Sequence, residues 1–274
     1  MMPHDRRRLV ALALSSFVLL WSTPFLWMLI AAFRPSGDNV AIASLWPAFE
    51  PTIKHFASAL AAGDFGQWYL NTLLVVSGIL LVQLVTVSLA GYAFARLSFR
   101  GRGTLFALFL VQLLLLPPVL LVPNLQTIVN AGLYGSLAGM MAPYFASAFG
   151  VFLMRQVFRS IPRELEEAAL MDGASWWQVL WHVLLPLARP GLVAFSIVSI
   201  VFHWNEFLWP LVVVNSPQRY TLTVGLASFA TGAEGGNEWG MIAAGTLLVI
   251  APLFIAFVLC QRHIVNSFMF SGLK

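Results

Sequence analysis

Apolar and polar positions alternate on the scale of tens of residues along this chain. Six nearly uncharged apolar stretches, 9–33, 71–95, 103–122, 133–154, 190–214 and 239–260, each hold 20 to 25 residues, about the number needed to cross the ~30 Å hydrocarbon layer as a helix. A transmembrane β-strand would show segments of ~10 residues with strict alternation. Continuous apolar runs predict helices, because a helix satisfies its own backbone groups where no water is present. Arg6, Arg7 and Arg8 precede the first stretch as they would in a secretory signal. A 25-residue run exceeds the usual apolar core of ~7 to 15 residues, so it is expected to stay as an anchor. The expected fold class is therefore an all-α membrane protein with six transmembrane helices.

The charges between these stretches set an orientation. With the N-terminus inside, 12 of the 15 Lys and Arg residues fall on the inner side, and only Arg34, Lys54 and Arg219 remain outside. Basic loops stay cytoplasmic, so both termini are expected inside, in a multi-pass membrane protein. Overall, 59% of residues are hydrophobic and 9% charged, against about 25% charged in an ordinary soluble domain. That excludes a water-soluble enzyme and leaves no basic face for nucleic acid, despite a formal charge of +4. The lone Cys260 excludes an internal disulfide and a multi-cysteine metal site. His4, His55, His182, His203 and His263 are scattered over different segments, so spacing assembles no catalytic or metal cluster.

One inner segment, 155–189, is too long for a turn and too short for a folded catalytic domain. Pro162 suits a first helical position, and Glu164, Glu166 and Glu167 complement the dipole of the opening turns. Ala168 and Ala169 keep the following turn slim. Gly173, after Asp172, suits a left-handed stop after about three turns. Ser175 and Gln178 then form a capping-box pattern, and the run WWQVLWHVLL continues to a break at Pro186. The local reading is two short helices with an elbow at Gly173 and Ala174. A slim helix of this kind fits a groove on a partner protein; the alternative is an amphipathic helix resting among lipid headgroups.

The string Glu167, Ala168, Ala169, then Gly173 after three residues, Val183 after nine more, and finally Leu185 and Pro186 resembles the EAA signature of permeases in binding-protein-dependent ABC importers. Only Val183 departs, standing where the signature has Ile. The resemblance extends over nearly the whole chain, through LNT at 70–72, GYAFARLSFRGR at 91–102, FLMRQVFRSIPREL at 152–165 and WNEFLWPL at 204–211. It is nearest to the carbohydrate-uptake branch, of the type of the second permease subunit of the maltose importer. The tail QRHIVNSFMFSGLK shares the branch's ends but departs from its glycine-rich middle.

The resemblance implies a type I importer permease fold, with residues 1–274 forming a single transmembrane permease domain. It implies four partners: a second homologous permease subunit, a dimer of ATP-binding subunits, an extracytoplasmic solute-binding protein and a small sugar-like solute. Glu166, Glu167, Ala168, Ala169, Asp172, Gly173, Ala174, Leu185 and Pro186 would form the coupling segment that docks on the ATPase. The chain has no G-x4-G-K-[ST] motif, so ATP and Mg are expected on the partner subunits, with no cofactor and no catalytic residue here.

Cargo contacts are sought among polar residues in the apolar stretches. His203, Asn205 and Glu206 lie within four residues of the fifth, and a carboxylate there is costly enough to suggest function. Trp204 and Gln112 join them as candidates. The readings open for these side chains are hydroxyl recognition at a hydrophilic route and hydrogen bonding between helices. Gln83, Asn124, Gln126 and Asn130 carry the same ambiguity. Pro117, Pro118, Pro143, Pro210 and Pro252 are expected to kink or interrupt their helices. Trp46, Trp68, Trp209 and Trp239 fall near outer boundaries and suggest an interfacial belt. The glycine-rich outer segment with Gly232, Gly235 and Gly236 corresponds, by the resemblance, to a loop that contacts the binding protein. Function is therefore expected to be that of an importer permease for a sugar, polyol or glycerol phosphate. The alternative is a stand-alone ion-coupled secondary transporter, which would call for an internal repeat and several intramembrane carboxylates; only Glu206 qualifies.

Overall fold

The structure, a computed structural model, describes residues 4–35, 51–233 and 239–272. Among these, every regular element is a helix. In chain order they are α1 (His4–Ala32), α2 (Lys54–Ala62), α3 (Phe65–Arg96), α4 (Arg102–Gln112), α5 (Leu121–Asn130), α6 (Leu137–Met141), α7 (Ala148–Ser160), α8 (Arg163–Met171), α9 (Trp176–Gln178), α10 (Leu185–Leu187), α11 (Arg189–Trp204), α12 (Leu208–Val213), α13 (Leu222–Ala233) and α14 (Trp239–Gly272).

Among the described residues, three helical segments are long and apolar enough to cross a membrane: Leu12–Ala32, Phe65–Arg96 and Trp239–Leu259. They coincide with the first, second and sixth expected stretches. The middle of the chain is more broken than its apolar run lengths suggest. Arg102–Gln112 and Pro117–Asn130 meet at 103°, Leu137–Tyr144 and Ala148–Ser160 at 45°, and Trp176–Leu187 and Arg189–Trp204 at 74°. The sharpest bend falls at Pro117 and Pro118, which open a 3-10 turn and cannot donate to a preceding turn. The fifth expected stretch is also divided. Helix α11 ends at Trp204, Asn205 caps it by donating its side-chain amide to the carbonyl of Val201 at 2.7 Å, and α12 starts afresh at Leu208.

The chain forms two compact units. In residues 1–65 with 225–252, Ala31 and Ala32 pack on Ala243 and Ala244, flanked by Met28, Phe56 and Leu247. Small residues at such contacts let helix backbones approach closely. In residues 66–224 with 253–274, one core gathers Tyr92 and Phe94 of α3, Met154 and Phe158 of α7, and Val179, Leu180 and Leu184. Another gathers Val75 and Ile79 of α3 with Met140, Trp209 and Val213. Trp209 is only 5% exposed, and its indole donates to the carbonyl of Met140 at 3.1 Å. Trp68 is buried too. The belt expected from sequence is thus corrected at both positions, because Trp209 packs inside a helical core and Trp68 is withdrawn from the surface; Trp239 is exposed, and Trp46 lies outside the described residues.

Candidate functional site

The 155–189 segment builds two helices about an elbow, with differences in detail. Pro162 occupies the N-cap of α8, one place before the expected first helical position, and α8 has nine residues. Its end is a Schellman closure: the Ala174 N–H donates to Ala169 O and the Gly173 N–H to Leu170 O, both at 3.0 Å, with Gly173 at φ 85°. That left-handed backbone is the reason for a glycine here. Ser175 then makes the expected capping box: its hydroxyl oxygen accepts from the Gln178 N–H at 3.4 Å, and its own N–H donates to Gln178 Oε1 at 2.7 Å.

The following helix is not broken at Pro186. A π-helical stretch over Val179–Leu184 precedes α10, widening the ladder ahead of a residue that has no N–H to give. The chain turns instead at Ala188, before Pro190 in the first turn of α11.

The elbow has an inner and an outer side. Ala169, Ala174, Val183 and Leu185 pack against the core of Tyr92, Phe94, Met154 and Phe158, and Pro186 is half-buried. Glu167, Ala168, Asp172 and Gly173 are exposed, and beside them Met171 is 88% exposed, with Trp176, Trp177 and Trp181 also bare. Glu166 belongs to the inner side, because its carboxylate lies 3.1 Å from Nε of Arg96, the two side chains being 9% and 4% exposed. The contact is ionic, and Arg96 Nη2 separately donates to the carbonyl of Ile161 at 2.6 Å. Arg96 is the last residue of α3. Sequence reasoning counted it only toward orientation; the signal available was a single arginine ending a long apolar helix, with an acidic helix start elsewhere on the same side.

The polar membrane residues converge on a cavity of about 370 Å³. Gln83, Gln112, Asn124, Ser199, His203 and Glu206 contribute its polar wall. Gln83 is fixed by its neighbours. Its amide N–H donates to Tyr144 O at 2.7 Å, its carbonyl oxygen accepts from Ser199 Oγ at 2.6 Å, and Nε2 of His203 lies 3.4 Å from the amide nitrogen. Since that nitrogen is a donor, His203 Nε2 acts as acceptor and the ring proton is assigned to Nδ1. Glu206 Oε1 accepts from the Trp209 N–H at 3.2 Å, in the first turn of α12, and its backbone carbonyl accepts from Thr223 Oγ1 at 2.7 Å. Of the expected pathway residues, Gln112 and Glu206 line this cavity. Asn205 is used as a helix cap and Trp204 is buried in packing; neither is part of the cavity wall.

Near the start of α3, the LNT string has a structural use that sequence did not show. The Asn71 side chain donates to the carbonyls of Gln218 and Tyr220, each at 2.9 Å, and Thr72 Oγ1 accepts from the Leu222 N–H at 2.9 Å. Together they hold the backbone of 218–222. Gly232 lies in the last turn of α13, while Gly235 and Gly236 lie outside the described residues. Among the described residues, no group of three or more His, Cys, Asp or Glu side chains is placed to hold a metal ion.

These features agree with what the chain resembles. Over 254 residues it is 31% identical to the arabinooligosaccharides transport system permease protein AraQ of Halalkalibacterium halodurans, covering 92% of this chain and 90% of that protein. Over 267 residues it is 29% identical to the diacetylchitobiose uptake system permease protein NgcG of Streptomyces coelicolor, covering 95% and 88%. In fold it matches a chain of a bacterial ABC transporter involved in the import of the acidic polysaccharide alginate. The TM-score is 0.84 at 22% identity, over 96% of this chain and 98% of that one. The sequence model of the binding-protein-dependent transport system inner membrane components matches residues 87–268, and the chain belongs to that family of multi-pass membrane permeases.

Proposed function

We propose that this chain is one membrane-embedded half of an ATP-driven importer for a saccharide or related polyol. It acts as a single permease domain with both termini cytoplasmic, paired in the bilayer with a second, homologous permease. An extracytoplasmic solute-binding protein delivers the cargo, with the segment around Gly232, Gly235 and Gly236 as its contact. Two ATP-binding subunits hold ATP and Mg and carry out hydrolysis. Permeases for arabinooligosaccharides and diacetylchitobiose among the relatives support a carbohydrate cargo.

The observation that carries the coupling role is the two-sided elbow. Its outer face offers Glu167, Ala168, Met171, Asp172 and Gly173, and its inner face is tied by Glu166 to the end of α3. An ATPase groove gripping the outer face moves α8 as the ATPase dimer closes, and the buried ion pair passes that displacement to a helix 32 residues long. Small side chains at Ala168 and Gly173 let a partner backbone come close.

The test is reconstitution in proteoliposomes with the second permease, the ATP-binding subunit and the solute-binding protein that co-purify with it in mild detergent. Solute uptake that requires ATP, and ATP hydrolysis stimulated by the loaded binding protein, are expected. Solute carried by this chain without an ATP-hydrolysing partner would overturn the reading.

A further inference from the structure

A cavity of about 370 Å³ falls within the size range of small-molecule sites. Its polar wall has a charge character of its own. Among the described residues of the lining, Gln83, Gln112, Asn124 and Ser199 are neutral, His203 is the one imidazole, Glu206 is the one carboxylate, and there is no Lys or Arg. Amides and hydroxyls both donate and accept, which suits sugar hydroxyls, whereas a carboxylate only accepts.

Glu206 is also held firmly. Its side chain accepts the Trp209 N–H and its backbone carbonyl accepts the Thr223 hydroxyl. One bond holds the carboxylate toward α12 and the other holds the backbone that carries it, which keeps the negative charge at the cavity wall. In the reduced dielectric of a partly apolar cavity, repulsion between two like charges a few ångströms apart is worth on the order of tenfold or more in binding.

We infer that Glu206 makes this half of the pathway selective for uncharged cargo, so that neutral oligosaccharides and polyols pass while uronates and phosphorylated polyols are disfavoured. This rests on the importer reading above and narrows it, since a fold likeness to an alginate importer and membership of a family defined by no particular cargo leave the charge of the cargo open. A hydroxyl group gains a fixed acceptor at Glu206, and a carboxylate or phosphate in its place meets a like charge.

The test uses the assembled complex of both permeases and the ATP-binding subunits, purified without the binding protein so that the latter's own selectivity does not enter. Neutral trisaccharides of arabinose, galactose and mannose are titrated in parallel with the C6-oxidised uronate counterparts of the two hexose series. At least one neutral sugar is expected to bind, with every uronate at least tenfold weaker, and Glu206→Gln is expected to narrow that gap. A uronate binding as tightly as the best neutral sugar, absence of binding by every neutral sugar, or a gap unchanged in Glu206→Gln would overturn the inference. The importer reading is judged separately, by ATP-dependent uptake in the complete system; it survives if uptake requires ATP and the cargo proves to be acidic.

Discussion

Arg96 and Glu166, 70 positions apart in sequence, form an ion pair at 3.1 Å with both side chains almost wholly withdrawn from solvent. Removing one partner of such a pair leaves the other buried and uncompensated, at a cost of about 3–5 kcal/mol. Arg96→Ala and Glu166→Ala are each expected to lower the melting temperature of the purified complex. They are also expected to lower solute carried per ATP hydrolysed, because α8 is no longer tied to α3. The exchanged double variant, Arg96→Glu with Glu166→Arg, is expected to recover part of both. A double variant no better coupled than the worse single one would assign the pair to stability alone.

Gly173 stands at φ 85° with nothing within 4 Å of where a Cβ would lie. Space is therefore free, and the cost of a side chain is conformational. A left-handed backbone costs a non-glycine residue roughly 1–2 kcal/mol, least for Asn. Gly173→Asn is expected to retain most uptake, while Gly173→Val is expected to lose most of it and to raise hydrolysis that no longer depends on cargo. Equal activity in the two variants would refute a role for the elbow's backbone shape.

The outer face of the elbow predicts the opposite pattern. Glu167 is exposed and Met171 is 88% exposed, so substitutions there change folding stability by no more than about 0.5 kcal/mol. Glu167→Lys and Met171→Asp are expected to leave the melting temperature of the isolated permease pair unchanged and to reduce the ATP-binding subunit recovered with it. Full recovery of that subunit with both variants would place its docking surface elsewhere.

What sequence revealed, and what it concealed, follows from the range of each interaction. The elbow was legible because its determinants are local: the left-handed stop at Gly173 and the reciprocal cap of Ser175 and Gln178 are decided within six residues. Glu166 read as a charge that complements the helix dipole and belongs to the docking segment, because its partner lies at the end of another helix. The division of the fifth apolar stretch was hidden for a different reason. Asn205 and Glu206 read as two polar residues within one continuous span, and residue type alone does not say that their side chains bond the Val201 carbonyl of α11 and the Trp209 N–H of α12. Trp209 looked interfacial by its position in the stretch, yet a distant carbonyl at Met140 satisfies its indole inside a core.

The glycine of the GYAFAR string makes the last prediction, and a second glycine nearby supplies its control. A Cβ built on Gly91 would stand 2.7 Å from Met154 Cβ and 3.2 Å from the backbone nitrogen of Arg155. A Cβ cannot rotate out of the way, and a neighbouring backbone yields only by shifting its helix, so α3 and α7 must separate. Overpacking of this kind costs about 1–3 kcal/mol. Gly103, in the first turn of α4, has nothing within 4 Å of the corresponding position, and replacing a helical glycine with alanine there gains up to about 1 kcal/mol in helix propensity. Gly91→Ala is therefore expected to lower the melting temperature and Gly103→Ala to hold or raise it. Because Met154 and Tyr92 share the core on which α8 rests, Gly91→Ala is also expected to weaken the coupling of hydrolysis to uptake, and Gly103→Ala to leave it intact. If Gly91→Ala were as stable and as well coupled as Gly103→Ala, the close approach of α3 to α7 would not be what this glycine serves.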